Sequence, residues 1–189
     1  MPGKYKSGVR VIAGRWKGTS ITVPSVPGLR PTPDRIRETL FNWLQPHIVG
    51  ANCLDLFAGS GILSVEALSR GASRALAVDS QRRSVDAMTA VRARLGAQGL
   101  DVRLARTEKF LEAPTGDTFD IVFIDPPFEL GIHRLICVKL QEFGWLAPEA
   151  LVYLEAPGGE DVVTPANWIE LKCKHAGNVA YALFHVPGG

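Results

Sequence analysis

The chain has 189 residues, of which 46% are hydrophobic and 21% are charged. This balance excludes a disordered or collagen-like chain and is typical of a single globular protein. The sequence contains no run of about 18 apolar residues that would span a membrane, and its first residues lack the apolar segment of a secretion signal. We therefore expect a soluble, cytoplasmic protein.

The charge is unevenly distributed along the chain. Residues 1–50 carry eight basic and two acidic side chains, a net charge of +6, whereas residues 51–189 carry a net charge of −4. A basic segment attached to an acidic body indicates a polyanionic partner, most simply nucleic acid, although a solvated basic tail fits the charge equally well. We therefore divide the chain into a basic N-terminal extension, 1–50, and a following domain, 51–189.

The extension begins with two β-branched runs around a glycine-containing basic turn. This pattern predicts a β-hairpin over residues 9–23 that presents Arg15, Trp16 and Lys17 at its turn. A proline-rich loop follows. A helix is then predicted over about 33–45, with the Thr32 hydroxyl as its N-cap, because apolar residues recur on one face from that point.

From residue 52 onward, apolar runs alternate with glycine turns and amphipathic stretches. Because the runs lack strict polar alternation, they indicate parallel strands covered on both faces. Strands are predicted at 53–57, 75–79, 102–105, 119–124 and 150–155, helices between Gly61 and Gly71, at 81–96 and near 131–143, and two closing strands at 168–174 and 179–186. This order predicts an α/β fold with a mostly parallel sheet and a C-terminal antiparallel hairpin.

A glycine turn after the first of these strands marks a candidate cofactor site. Gly59 and Gly61 lie where open parallel sheets bind ligands, although a plain structural turn explains two glycines equally well. Asp79, at the end of the next strand, can accept both hydroxyls of a ribose, which indicates a nucleoside-containing cofactor. A dinucleotide fingerprint needs a third glycine where Ser64 stands, and Asp55 would repel a pyrophosphate but suits an ammonium group. The residues therefore favour S-adenosylmethionine.

The fourth strand of the domain runs into Asp125-Pro126-Pro127-Phe128, which indicates the reaction type. An exocyclic amino group on a base is a poor nucleophile because its lone pair is delocalised into the ring. The Asp125 carboxylate and the Pro126 carbonyl can accept its two hydrogens and direct the lone pair toward a methyl donor. Two prolines keep the loop rigid, and Phe128 offers a face for stacking an extruded base. A strand-terminating turn is the competing interpretation.

Other chemistries fit the sequence less well. The four histidines are scattered without metal-ligand spacing, so no metal site is predicted. Cytosine-C5 methylation needs a cysteine nucleophile, and Pro127 occupies the position where that cysteine would stand. The three cysteines, Cys53, Cys137 and Cys173, are far apart and are expected to be reduced.

Five segments together resemble the bacterial small-subunit ribosomal RNA guanine-N2 methyltransferases over nearly the whole chain. They are Arg10–Gly18, Gly28–Trp43, Cys53–Gly61 with the following Glu66–Arg70, Asp125–Phe128 and Gly177–Phe184. The Asp55–Gly61 and Asp125–Phe128 motifs are common to many amino-group methyltransferases, whereas the Arg-Pro-Thr helix entry and the N-terminal hairpin are much more particular to this family. The resemblance implies a class I, Rossmann-like methyltransferase fold, S-adenosylmethionine as the donor, and methylation of N2 of one guanine in small-subunit (16S) ribosomal RNA.

By position, the resemblance assigns the loop Asp125, Pro126, Pro127 and Phe128 to the target amino group. It assigns to the cofactor the set Asp55, Phe57, Ala58, Gly59, Gly61, Asp79, Arg106 and Thr107. The family usually has Asp or Asn after the third strand to meet the adenine amino group, and Arg106 stands there instead. Thr107 or Glu108 then substitutes, or the backbone holds the adenine.

The basic extension supplies the expected RNA contacts. The set is Arg10, Arg15, Trp16, Lys17, Arg30, Arg35 and Arg37, which the hairpin and loop would bring together beside the mouth of the active site. Arg35 and Arg37 have a competing role, since a helix packed on the domain can use either in an intramolecular ion pair. For Trp16, packing in the hydrophobic core is the interpretation that competes with RNA contact.

The expected partner is ribosomal RNA or an assembling small ribosomal subunit, and a monomer is expected. Three alternatives stay open: an amino methyltransferase acting on adenine N6 of DNA or another RNA, glutamine-N5 methylation of a protein, and a non-catalytic RNA-binding module. The basic extension disfavours the protein substrate, and a binding module would have no need for Asp79 and Asp125 together.

Overall fold

The structure is a computed structural model that describes residues 6–26, 32–113, 116–159 and 163–188. The extension forms a β-hairpin, in which β1 (Lys6–Arg10) pairs antiparallel with β2 (Ser20–Val23), followed by helix α1 (Asp34–Leu44). The predicted hairpin and helix are both present, with shorter strands than the sequence pattern suggested.

The domain contains a seven-stranded sheet. Its strands are β3 (Asn52–Asp55), β4 (Arg74–Asp79), β5 (Leu100–Leu104), β6 (Phe119–Ile124), β7 (Leu146–Pro157), β8 (Ile169–Ala176) and β9 (Val179–Val186). Their order across the sheet is β5-β4-β3-β6-β7-β9-β8. The first five strands in chain order run parallel, and the last two form the antiparallel hairpin at one edge. The predicted fold class is confirmed.

Helices cover both faces of this sheet and enclose two hydrophobic cores. The helices are α2 (Ile62–Ser69), α3 (Arg82–Leu95), α4 (Thr107–Phe110) and α5 (His133–Glu142). One core joins α1, α2 and α3 to the sheet and includes Phe41, Met88 and Phe123. The other core lies on the α5 side, around Trp145. The extension therefore shares a core with the domain.

A buried ion pair joins the extension to α2. Arg37 of α1 is fully buried, and its Nη1 lies 3.6 Å from Oε2 of the equally buried Glu66 of α2. The Glu66 carboxylate also accepts the backbone N–H groups of Ile12 and Ala13 at 2.8 and 3.0 Å, while Arg37 Nη2 donates to the Arg10 carbonyl at 3.0 Å. A buried charge is tolerated only when it is paired and hydrogen-bonded, so this network locks the hairpin to both helices.

Two local predictions have different outcomes. The Thr32 hydroxyl does not cap α1: the N-cap is Pro33, without a side-chain cap bond, and Thr32 donates to Asp125 instead. The apolar pattern also predicts core positions for Phe41, Trp43, Trp145 and Trp168; Phe41, Trp145 and Trp168 are buried, whereas Trp43 is half-buried. Within the part of the chain that the structure describes, no helix has the length and apolar character needed to cross a membrane.

Candidate functional site

The candidate site lies at the carboxyl edge of the sheet, where β3, β4, β6 and β7 end. Strand β3 is hydrogen-bonded to β4 on one side and to β6 on the other. The chain order reverses at this point, and open α/β sheets bind their ligands outside such a switch point. The ends of these four strands carry the acidic residues Asp55, Asp79, Asp125 and Glu155.

The glycine turn and Asp79 meet at this edge. The Gly59 N–H donates to Asp79 Oδ2 at 2.8 Å, and the Gln81 N–H donates to Asp79 Oδ1 at 2.7 Å. The pKa of Asp79 is raised above its usual value, mainly because the carboxyl group is buried. Gly61 has φ +77°, and a Cβ there would come within 2.8 Å of the Met88 side chain. A larger residue would be strained and would clash, so glycine is required at the start of α2.

Asp55 is a buried carboxylate at the end of β3. Its Oδ2 accepts from the Ser64 hydroxyl at 2.8 Å, and among the described residues no cationic side chain forms an ion pair with it. Burial raises the pKa of Asp55 to about 7. Ala58 is buried and Phe57 is half-buried beside it. A carboxylate held in this way can bind a small cation such as an ammonium group, whose charge would offset the cost of desolvation.

The Asp-Pro-Pro-Phe segment forms a bent loop after β6. Asp125 is half-buried, Pro126 is buried and Pro127 is exposed, while Phe128 is half-buried and begins a short 3₁₀ helix. Burial and the neighbouring Glu155 raise the pKa of Asp125 well above its usual range, and the Thr32 hydroxyl, 3.3 Å from Oδ2, opposes that rise. The loop therefore holds a carboxylate and a carbonyl at a rigid edge beside an aromatic ring.

Sequence reasoning missed three residues of this site: Thr32, Tyr153 and Glu155. Glu155 stands beside Asp125 because Ile124 pairs with Leu154 in the parallel register of β6 and β7. Its Oε1 accepts from the Tyr153 hydroxyl at 2.7 Å. The available signal was an acidic residue at the end of the fifth predicted strand. In the described ranges, no group of three or more His, Cys, Asp or Glu side chains is arranged to hold a metal ion.

The residues expected near the adenine have other contacts in this structure. Arg106 is 74% exposed, and its Nη2 pairs with Glu108 Oε1 at 3.2 Å. Thr107 is buried, and its hydroxyl donates to the Leu56 carbonyl at 2.6 Å, which ties the start of α4 to the end of β3. The role of Arg106 and Thr107 in cofactor binding stays a prediction.

The expected RNA contacts divide into exposed and buried residues. Arg10, Arg15, Lys17 and Arg35 are exposed, and Trp16 is half-buried against the first core. Arg30 lies outside the described residues. Arg37 is a correction: its side chain is fully buried and is used by Asp34, Glu66 and two backbone carbonyls, so it presents no charge to RNA. The intramolecular ion pair, which competed with RNA contact in the sequence, is the observed role.

The position of the hairpin turn is a second correction. The Arg15 N–H donates to the Ser69 carbonyl at 2.7 Å, at the C-terminal end of α2, whereas the glycine turn lies at the N-terminal end. A helix of this length spans about 12 Å. Gly14 permits the contact, because a Cβ there would lie 1.9 Å from the Ser69 carbonyl oxygen. The turn therefore lies away from the carboxyl edge.

Helix α3 adds basic residues to the N-terminal extension. They were hidden when the net charge was counted separately for residues 1–50 and 51–189. Arg83 and Arg94 are exposed and donate to carbonyls of the hairpin segment, at Ser25 and Ser20, over 3.3 and 2.7 Å. Arg82 and Arg92 lie exposed on the same helix. The extension and α3 therefore form one basic surface. Counting charge helix by helix, instead of for two halves of the chain, would have revealed it.

Comparisons with known proteins agree with this architecture. A family model described as "Conserved hypothetical protein 95" matches residues 9–185. "Ribosomal RNA small subunit methyltransferase D" of Escherichia coli strain K12 is 46% identical over 177 residues, which cover 93% of this chain and 89% of that protein. The protein of the same name from Haemophilus influenzae is 41% identical over 187 residues, covering 95% of this chain and 94% of that protein.

A solved structure is also similar. It is described as a "Putative methyltransferase yhhF from Escherichia coli" and superposes with a TM-score of 0.88 at 43% sequence identity, covering 96% of this chain and 99% of that chain. The similarity extends through the N-terminal extension as well as the sheet, because so little of either chain is left out.

Proposed function

Because this chain belongs to the family described as Conserved hypothetical protein 95, we propose that it transfers a methyl group from S-adenosylmethionine to the exocyclic N2 of a guanine in small-subunit ribosomal RNA. The names of its relatives support ribosomal RNA methylation. The observation that carries the proposal is the location of Asp125 at the end of β6, next to the strand whose following turn meets Asp79. A loop suited to an amino group thus adjoins a site suited to a nucleoside.

The residues at the carboxyl edge fit S-adenosylmethionine. Asp55 has a desolvated carboxylate without a cationic partner among the described residues, which suits the ammonium group of the methionine moiety. Gly59 and Gly61 allow close approach of the ligand to the backbone, and Asp79 accepts hydrogen bonds with both carboxylate oxygens, as it would from two ribose hydroxyls. When bound, the cofactor supplies an electrophilic methyl group on a sulfonium.

The Asp125 loop has the chemistry to orient the amino group. The carboxylate and the Pro126 carbonyl accept its two hydrogens, which turns the nitrogen lone pair toward the methyl group. When the methyl group is transferred from the bound cofactor, the Asp125 carboxylate or water would take the surplus proton of the amino nitrogen. Two prolines keep these acceptors fixed, so the loop loses little conformational entropy when the RNA binds. Phe128 provides the stacking surface for the extruded base.

The exposed basic residues form the proposed RNA surface. Arg10, Arg15, Lys17 and Arg35 can neutralise phosphates, and Trp16 lies among them. Because the turn lies at the far end of α2, the RNA would extend from the carboxyl edge along the hairpin and α3. A structured ribosomal RNA or an assembling subunit in the cytoplasm is a partner large enough to cover that length, and the enzyme is proposed to act as a monomer.

A labelled methyl-transfer assay tests the function. Purified protein is incubated with radiolabelled S-adenosylmethionine and, separately, naked small-subunit ribosomal RNA, assembling small subunits, duplex DNA and total protein, with Asp125→Ala as the inactive control. Nucleoside mass analysis should then show N2-methylguanosine in the ribosomal RNA. Label in N6-methyladenine would indicate that the enzyme methylates adenine N6. Label in protein would indicate that it methylates glutamine N5. RNA binding without methyl transfer would indicate that the protein is a non-catalytic RNA-binding module.

A further inference from the structure

A residue of the extension takes part in the site at the carboxyl edge. Thr32, which precedes α1, is 5% exposed, and its hydroxyl donates to Asp125 Oδ2 at 3.3 Å. Burial raises the pKa of Glu155 to about 7, and the Tyr153 and Thr32 hydroxyls oppose that rise. Thr32 therefore lies between two carboxyl groups that come from neighbouring strands, although it belongs to a different part of the chain.

The two carboxyl groups cannot both carry a full charge at low cost. Asp125 and Glu155 stand side by side at the ends of β6 and β7, and Glu155 is 4% exposed. Like charges this close in a partly desolvated site favour a state in which the pair shares one proton. Glu155 also accepts the Tyr153 hydroxyl, so one of its oxygens is already occupied.

A hydroxyl group between two carboxyls can distinguish them. Its oxygen accepts one hydrogen bond and its hydrogen donates another, so it can donate to an ionised carboxylate while it accepts from a protonated one. The Thr32 hydroxyl lies 3.3 Å from Asp125 Oδ2, so it is placed to donate to that oxygen when Asp125 is the ionised member of the pair. That arrangement leaves Asp125 with a free lone pair for the substrate.

We propose that Thr32 and Glu155 are positioning residues for Asp125: Glu155 shares one proton with Asp125, and the Thr32 hydroxyl favours the ionised form of Asp125 and fixes its direction. The inference rests on the proposed function of Asp125 as the acceptor for the target amino group. It also explains the threonine of the Arg-Pro-Thr entry, which does not cap α1 and belongs to neither the cofactor set nor the RNA set.

Thr32 is held in place by the same buried network that docks the extension. Arg37 Nε donates to the Thr32 carbonyl at 3.3 Å, and Arg37 is anchored in turn by Asp34 at 2.6 Å and Glu66 at 3.6 Å. Because Arg37 and Glu66 are buried and paired, the Thr32 carbonyl is bonded to a group that has little freedom to move. The hydroxyl therefore meets Asp125 in a direction set by α1 and α2.

The groups that face the pair come from several elements. Asp55 of β3 lies close enough to interact electrostatically with Asp125, and Tyr153 of β7 and Tyr181 of β9 lie on the Glu155 side. The ring of His133, on α5, contacts the backbone carbonyl of Glu155 through Nε2 at 2.9 Å. Arg37 reaches Thr32 only through its carbonyl, so the hydroxyl is the polar link from the extension to Asp125.

The pH dependence of methyl transfer separates the two residues because they act in opposite directions. Thr32 favours the ionised form of Asp125, so Thr32→Val should raise the pKa of Asp125 and move the acid limb of kcat to higher pH by about half a unit to one unit. Glu155 disfavours that form by charge repulsion, so Glu155→Gln should move the acid limb to lower pH by about one unit or more.

Matched variants control for structural damage. Thr32→Ser retains the hydroxyl and should restore the wild-type acid limb, and Thr39→Val, on an α1 threonine that bonds only to the Arg35 carbonyl, should leave it unmoved. At neutral pH, Thr32→Val should lower kcat by about 3- to 10-fold, with little change in the KM for RNA or in the dissociation constant for S-adenosylmethionine.

Each outcome bears on one of the two claims. Acid limbs that coincide in wild type, Thr32→Val and Glu155→Gln would overturn the positioning roles, as would a Thr32→Val variant whose loss is entirely in stability or cofactor affinity. If the wild-type protein methylates an amino group other than guanine N2, the proposed substrate is wrong, and the same pH series on that substrate still tests Thr32 and Glu155. The expected opposite shifts would support the inference.

Discussion

The carboxyl edge of the sheet and the N-terminal extension position their charged residues in different ways. Asp125 follows a strand at the carboxyl edge, whereas Arg37 lies on a helix of the extension. At the carboxyl edge, strand ends carry Asp55, Asp79 and Asp125 to one place because parallel strands end at the same edge. In the extension, two arginines with the same formal charge have opposite roles: Arg15 is exposed at the turn, whereas Arg37 is buried in an ion pair. Charge alone did not distinguish them.

The difference follows from what surrounds each charge. The positions of the strand ends along the chain depend on local apolar periodicity, which the sequence reports well. The environment of an arginine depends on partners distant in the sequence, and Arg37 finds its partner Glu66 on another helix. Four substitutions test this contrast, two in each region, from the largest expected effect to the smallest.

Removal of Arg37 should have the largest effect, because it removes a buried guanidinium that bonds to the Arg10 and Thr32 carbonyls and pairs with Glu66, although Glu66 keeps Arg70 at 2.8 Å. We expect Arg37→Met to lower the free energy of unfolding by about 3–5 kcal/mol. Arg35→Met, an exposed arginine two residues earlier, should change it by less than about 0.5 kcal/mol. Urea unfolding followed by circular dichroism measures both variants. Equal stability of the two would mean that the buried pair does not hold the extension to the domain.

Removal of the Asp125 carboxylate should mainly affect the chemical step. We expect Asp125→Ala to lower kcat by on the order of 100-fold, because the carboxylate orients the amino group chiefly in the transition state. Asp125→Asn retains an acceptor oxygen and should be the milder change. Single-turnover methyl transfer, with cofactor affinity measured in parallel, checks the result. Wild-type activity in Asp125→Ala would remove the loop from the reaction.

Removal of the Asp79 carboxylate should weaken cofactor binding. We expect Asp79→Ala to cost roughly 1.5–3 kcal/mol of S-adenosylmethionine binding, the range for hydrogen bonds to a charged group. Isothermal titration calorimetry measures the change, and Asp86→Ala, an exposed acid on α3, serves as the control. An unchanged dissociation constant in a folded Asp79→Ala protein would place the ribose elsewhere.

Loss of the turn cations should have the smallest effect and should depend on salt. Each phosphate contact releases counterions, so the double variant Arg15→Ala, Lys17→Ala should reduce the slope of log affinity against log salt by roughly two units or less. The double variant Lys172→Ala, Lys174→Ala, on the exposed strand β8 at the other edge, is the matched control. A slope identical to wild type, with cofactor binding intact, would mean that RNA does not reach the turn.

The amino-acid sequence alone determined the α/β order, and it predicted that Asp55, Gly59, Gly61, Asp79 and Asp125 lie together at the carboxyl ends of neighbouring strands, where the structure places them. These follow from local periodicity, glycine turns and the rule that parallel strands end together, none of which needs distant contacts. The same reasoning indicated the hairpin and α1, because their start and stop signals lie within a few residues.

Only the tertiary structure decided which groups face each other. Thr32 has the residue type and position of an N-cap, yet its hydroxyl meets Asp125, 93 residues away. The location of Glu155 beside Asp125 depends on the register of β6 and β7, and the burial of Arg37 depends on how α1 packs on α2. Protonation states, ion pairs and the distal position of the hairpin turn all arise from such long-range contacts, because desolvation and electrostatic interaction depend on distance in space and not on separation in sequence.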